Sequence, residues 1–172
     1  MVKMMSVLCL IVGLSMLAAP AEAKRLRNGA PNGFEAFHVA GVIGGEDGNV
    51  LLLTNAAEDT LVPITVNNSA AMSIALRNQR KRYERPLTHD LLDAMIDILG
   101  GEIVEVRIDE LIGGTYTASV DVKHKRRVHT LDARASDAVA LALGRQLPVY
   151  VSDDVLEATA MVEPREDVVI RL

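Results

Sequence analysis

The chain has a single cysteine, Cys9, and no tryptophan. One thiol builds neither a disulfide framework nor a multi-cysteine zinc or iron–sulfur centre. Aromatic residues make up 3% of the chain, which leaves little for the stacked-base platforms of single-strand binders. A surplus of positive charge is also missing. The formal net charge is −5, which excludes a generally basic nucleic-acid coat protein. Twelve glycines and six prolines in 172 residues are too few for a collagen-like or linker-dominated chain. What is present is 49% apolar and 24% charged sequence, enough to build a core and not disordered by composition. The length fits one domain of ordinary size with some extra.

The extra lies at the start. Residues 1–23 read as a secretory signal peptide: Lys3 supplies the positive start, Met4 to Ala21 carries no charge, and Ala21-Glu22-Ala23 is a small-x-small cleavage site. An uncleaved membrane anchor is the competing reading of that run, but Pro20 and the small residues before the site favour cleavage. Cys9 sits inside the apolar run rather than at its end, which argues against a lipid-modified cysteine. The expectation is a secreted or periplasmic protein with no membrane attachment after cleavage. Residues 24–36 are short, polar and rich in glycine and proline, and read as a flexible lead-in.

Residues 37–172 read as one α+β domain. Strand-like runs cover 37–43, 50–54 and 61–66, the last pushed toward a sheet edge by Pro63. A helix follows over 69–78. Runs at 103–108, 116–122 and 127–133 and a helix at 136–146 repeat that order. Aligning 69–79 with 136–146 at a constant offset of 67 gives five identities in eleven positions. Two β-β-β-α units are the best internal explanation, with chance similarity of two alanine-rich helices as the alternative. Between the units lies a helix over 88–99 with an apolar stripe of Leu91, Leu92, Met95, Ile96 and Leu99, stopped by Gly100-Gly101. A short strand over 148–151, a helix over 153–161 and a strand-like run over 168–172 complete the chain.

Positive charge is concentrated in two runs. Arg77, Arg80, Lys81, Arg82 and Arg85 form one, and Lys123, Lys125, Arg126 and Arg127 form the other. Both fall at connections between elements, where they could form one basic rim that contacts phosphates, or two solvated turns.

Two segments carry more chemistry than a core needs. One is Arg85-Pro86-Leu87-Thr88-His89-Asp90-Leu91; the other runs from Asp132-Ala133-Arg134-Ala135-Ser136-Asp137 into Ala138-Val139-Ala140-Leu141-Ala142. Thr88 and Ser136 are candidate helix N-caps, each followed by an acid in the first turn. Capping alone does not require His89, Asp132 or Arg134. On these two segments, with Pro148-Val149-Tyr150-Val151 and the acidic helix after it, the chain resembles the bifunctional nuclease domain family over roughly residues 38–161. Its members are credited with both DNase and RNase activity. Two positions depart from the family pattern: Ala135 stands where a proline is common, and Ala70-Ala71 where Glu-Ala is common. In the internal alignment Ala70 matches Asp137.

The resemblance implies phosphodiester hydrolysis of DNA or RNA, and hence a nucleic-acid partner. That chemistry needs an activated water, neutralised phosphoryl oxygens and a protonated leaving oxygen. The candidate catalytic residues are His89, Asp137, Asp132 and Arg134, with Thr88 and Ser136 at helix starts suited to a phosphate. The candidate nucleic-acid contacts are Arg80, Lys81, Arg82, Arg85, Lys123, Lys125, Arg126 and Arg127. Asp90, Asp132 and Asp137 are the candidate ligands of a magnesium or manganese ion. The alternatives are a weak or inactive relative that binds nucleic acid or protein, and a structural or ligand-binding envelope protein whose polar motifs are helix caps. The residues do not fix the oligomeric state, and a homo-oligomer is compatible with them. Whether His89, Asp132, Arg134 and Asp137 converge separates these readings.

Overall fold

The computed structural model describes residues 29–45 and 48–160; the leader-like segment 1–23 and the run 168–172 lie outside them. Strands β1 (Phe34–Gly45), β2 (Gly48–Asn55) and β3 (Leu61–Val66) form an antiparallel meander. In β3 the alternation is strict: Val62, Ile64 and Val66 are buried while Leu61, Pro63 and Thr65 are exposed. β3 is an edge strand, as Pro63 requires, because proline donates no ladder hydrogen bond. Helix α1 (Asn68–Asn78) follows, its N-terminus capped by Asn67, whose side chain accepts from the Ala70 N–H at 2.8 Å. Helix α2 (Thr88–Ile98) then leads into a second meander of β4 (Gly101–Ile112), β5 (Thr115–His124) and β6 (Arg127–Arg134). The β4–β5 turn is Gly113-Gly114, with φ 57° and 81°, a two-residue turn that needs positive φ at both centres. Helix α3 (Ala135–Arg145), strand β7 (Val149–Ser152) and helix α4 (Asp153–Ala160) finish the described chain.

The seven strands form one mixed sheet in the order β3-β2-β1-β7-β4-β5-β6. β7 is last in sequence and central in space. It pairs antiparallel to β1 and parallel to β4, so its four residues join the two meanders. One face of the sheet, with Leu51, Leu53, Val62, Val106, Ile108, Ala118, Val120 and Val151, packs against α1 and α3 to form the core. The other face of β4 and β5 is polar. There Arg107 is gripped by Glu105 and by Asp121, whose oxygens accept at 2.9 and 3.2 Å. Hydrogen bonding to Asp121 holds the Arg107 guanidinium above its ordinary range. No helix among the described residues is long and apolar enough to cross a membrane.

Candidate functional site

The site is built on α2, and α2 is mounted in an unexpected way. Its apolar stripe is turned outward: Leu91, Leu92, Met95, Ile98 and Leu99 are exposed, Ile98 by 83%. Of the stripe read from the sequence, only Ile96 packs against the core. The inward face carries His89, Asp93 and Ile96, at i, i+4 and i+7. Charge complementarity explains the orientation. Arg77 of α1 crosses to α2, donating from Nη2 to Asp90 Oδ1 and from Nη1 to Asp93 Oδ2, each at 2.7 Å, and also to the Ala140 carbonyl at 3.0 Å. Arg145 of α3 donates to Asp93 Oδ1 at 3.1 Å and to Asp97 at 2.8 Å. With its side chain 8% exposed, Arg77 is an internal strut and not part of a phosphate-facing run. The sequence grouped it with Arg80–Arg85, and the structure removes it.

Above this strut runs a chain of hydrogen bonds through three helices. Ser73 of α1 lies 2.9 Å from His89 Nδ1, and His89 Nε2 lies 3.1 Å from Asp137 Oδ1. Arg134 then closes on Asp137 with two bonds, Nε to Oδ2 at 2.6 Å and Nη2 to Oδ1 at 2.8 Å. Burial grades outward: Ser73 is buried, the His89 side chain is 11% exposed, Asp137 28% and Arg134 66%. Burial pushes the Asp137 carboxyl up, but the hydrogen bonds from Arg134 and His89, and the charge of Arg134, outweigh it and hold it below the usual carboxylate range. Asp137 in turn holds Arg134 above its ordinary range. The assembly presents an ionised carboxylate and an exposed guanidinium at the surface, backed by a buried imidazole and hydroxyl.

Three of the four candidate catalytic residues, His89, Arg134 and Asp137, therefore converge. Asp132 does not. It is exposed in β6, paired with Ser119 on the face of the sheet opposite Ala118 and Val120. Arg134, two residues on, would share that face by alternation, but it ends the strand as the N-cap of α3 and its side chain reaches forward to Asp137.

Other candidates are corrected in the same way. Thr88 and Ser136 are not N-caps. The caps are Leu87 and Arg134, and neither makes a side-chain cap bond to the helix. At α2 the reverse bond is made instead, the Leu87 N–H donating to Asp90 Oδ2 at 2.9 Å. Asp90 is thereby committed to Arg77 and Leu87, and Asp137 to Arg134 and His89, with Asp132 elsewhere. The three proposed metal ligands do not come together, and no group of three or more such side chains suited to a cation occurs among the described residues. Ala70, the sequence counterpart of Asp137, is 2% exposed, and its N–H is already served by Asn67; a glutamate there would have to displace packed core.

The two basic runs stand at opposite ends of α2. Arg80–Arg85 precede its N-terminus, while Lys125 and Arg126 form a hairpin turn beside its C-terminus, since His124 pairs with Gly101. Eleven residues separate the ends by roughly 16 Å, so the runs flank the helix and do not merge into one rim. Arg80, Lys81, Arg82, Arg85, Lys123, Lys125, Arg126 and Arg127 are all exposed. Arg80 and Lys125 have positive φ, 54° and 55°, a conformation that costs a residue with a side chain about 1 kcal/mol or more.

Sequence reasoning passed over Ser73, Asp93 and Arg145 and gave Arg77 a different role. One signal for two of them was available. Ser73 and Arg77 share the face of α1 that carries Ala70 and Ile74, and a polar side chain at core spacing asks for a buried partner.

A family model described as Bifunctional nuclease domain matches residues 50–164. The chain is 41% identical over 117 residues to an uncharacterized protein of Mycobacterium tuberculosis, covering 68% of this chain and 70% of that one. It is 27% identical over 106 residues to Bifunctional nuclease 2 of Oryza sativa subsp. japonica, covering 59% of this chain and 32% of that protein. Bifunctional nuclease 1 of Oryza sativa subsp. indica is 26% identical over 131 residues, covering 74% of this chain and 35% of its own length. The chain thus spans about a third of either rice protein and most of the mycobacterial one. With two thirds of its length matched by that model and 41% identity to the mycobacterial protein over most of both chains, this chain belongs to the bifunctional nuclease domain family.

Proposed function

We propose that this chain hydrolyses phosphodiester bonds of DNA or RNA outside the cytoplasm, at the Arg134–Asp137–His89 surface between α2 and α3. One observation carries the reading: an exposed guanidinium sits beside an ionised carboxylate that a buried histidine holds from behind. Membership of the family and the names of the rice relatives support it, as do the basic runs on either side of α2. The location rests on the leader-like segment 1–23.

Each group has a role its geometry allows. Arg134 spends Nε and Nη2 on Asp137, and its remaining N–H groups bind a phosphoryl oxygen. Asp137 orients the attacking water and accepts its proton as the water oxygen bonds to phosphorus; the P–O bond to the leaving sugar oxygen breaks, and that oxygen takes a proton from solvent. His89 is a positioning residue: with Ser73 donating to Nδ1, Nε2 carries the proton and donates to Asp137. A carboxylate held below its usual range is a weak base, so the expected rate is low. A magnesium or manganese ion would neutralise phosphoryl charge, but Asp90, Asp132 and Asp137 do not converge to hold one.

A second reading is favoured by His89 itself. Both its nitrogens are engaged inside the protein, which suits a relative that binds nucleic acid without cutting it. The test is cleavage of labelled single-stranded and duplex DNA and RNA, with and without EDTA, by wild type, Arg134→Gln and His89→Ala. Cleavage by wild type that falls at least about 100-fold in both variants is expected for a positioned acid–base site. Undiminished cleavage in both would assign the activity to another site. Binding without cleavage by any of the three would select the second reading.

A further inference from the structure

We propose that the loop between α1 and α2 holds one unpaired base of a single-stranded nucleic acid against Tyr83. The inference rests on the proposed function and narrows its substrate to strands whose bases are free of a duplex.

The chain has five aromatic residues, all described, and four are buried or half-buried: Phe34, Phe37, Tyr116 and Tyr150. Tyr83 is 50% exposed. It contributes little to the core, yet it stands in the most basic loop among the described residues, with Arg80, Lys81, Arg82 and Arg85 around it. It also lines a cavity of about 210 Å3, together with Arg82, Glu84, Pro86 and Asp90. That volume is below the roughly 300–1,000 Å3 of a pocket enclosing a drug-sized molecule; it has room for one flat ring system. A phenol wall, a guanidinium and a proline ring are surfaces on which a base stacks. The surrounding cations neutralise the phosphates on either side of that base.

Position ties the cavity to the site. Asp90, in the cavity wall, directly follows His89 on α2. A strand whose base rests on Tyr83 therefore leaves its next phosphates at the N-terminal end of α2, beside Asp137 and Arg134. In a duplex every base is paired and stacked within the helix, so none is free to enter. The sparse aromatic content excludes an extended stacking platform but leaves this single anchor.

The test is equilibrium binding of the purified protein to a fluorescein-labelled single strand of roughly ten nucleotides and to a hairpin duplex of the same composition. Both carry a cleavage-resistant backbone, so binding is read apart from hydrolysis. The chain has no tryptophan, so tyrosine emission reports stacking directly. Tyr83→Ala should weaken single-strand binding on the order of 10-fold, leave duplex binding unchanged, and abolish the quenching of tyrosine emission by the single strand. Tyr83→Phe should bind like wild type. Equal single-strand affinity in wild type and Tyr83→Ala would overturn the inference and leave the proposed function standing, as would equal losses on both nucleic acids. Absence of binding by wild type to either form would overturn the proposed function and this inference together.

Discussion

Helices α2 and α3 are both 11 residues long and both rich in apolar side chains, yet they are mounted on the molecule by opposite faces. α3 buries Ala135, Ala138, Val139, Ala140, Leu141 and Ala142, the small residues that let it lie close to the sheet and to α1. α2 buries only His89 fully and turns its leucines, Met95 and Ile98 to solvent. Hydrophobic burial fixes α3. Arg77 and Arg145, reaching three aspartates, fix α2. An amphipathic pattern thus says that a helix has two faces but not which one docks; that depends on what the neighbouring helices offer. Here the docking face is also the face that carries His89 to Asp137, so the anchor of α2 and the proposed site are adjacent parts of one polar seam.

The largest effect should come from the strut. Arg77→Ala leaves Asp90 without its cation and Asp93 with only Arg145, and should destabilise the fold by about 3 kcal/mol in urea unfolding. Loss below about 1 kcal/mol would mean that apolar packing holds α2 after all.

Gly144 sharpens the same contrast. It lies inside α3, where alanine would ordinarily stabilise by about 1 kcal/mol. A Cβ at Gly144, however, would stand 2.0 Å from Arg77 Nη1 and 2.7 Å from Asp93 Oδ2. Gly144→Ala should therefore destabilise by about 2 kcal/mol. Combined with Arg77→Ala, which removes the nearer atom and releases Asp93 Oδ2 from its bond to Arg77 so that it can move aside, the substitution should become stabilising. The reversal of sign in a double-mutant cycle is the check; additive effects would show that the glycine is there for another reason.

Smaller and opposite in sign is the effect expected at the two basic turns. Arg80→Gly and Lys125→Gly relieve positive-φ residues and should each stabilise by up to about 1 kcal/mol. Each should also weaken nucleic-acid binding at low salt, since it removes a cation. A stabler protein with unchanged binding would reduce these residues to ordinary turns.

Much of this architecture was legible in the residues. The strand runs, the helices and the edge position of β3 follow from alternation, helical spacing and Pro63. The reach of Arg134 to Asp137 is an i, i+3 pair visible in the sequence. Asp132 misled because it shares a motif with them, although it stays within the strand while Arg134 turns off its end as the N-cap of α3. The central place of β7 was not legible: four residues carry no period that distinguishes a middle strand from an edge. Nor was the facing of α2, which is decided by arginines in two other helices.

The smallest effect should be on the outward face of α2. Leu91→Ser and Ile98→Ser should change stability by less than about 0.5 kcal/mol, because both side chains already face solvent. Thermal unfolding that drops by several degrees would show that this face is covered in solution.

The proposed function divides the labour of the polar seam, with Arg77, Asp93 and Arg145 holding α2 and Asp137 acting at the surface. Its most direct test is single-turnover cleavage of a labelled single strand, normalised to folded protein, for Asp93→Asn and Asp137→Asn side by side. Asp93→Asn should be less stable but cleave at the wild-type rate per folded molecule, whereas Asp137→Asn should stay folded and lose cleavage. Wild-type cleavage by folded Asp137→Asn would contradict it.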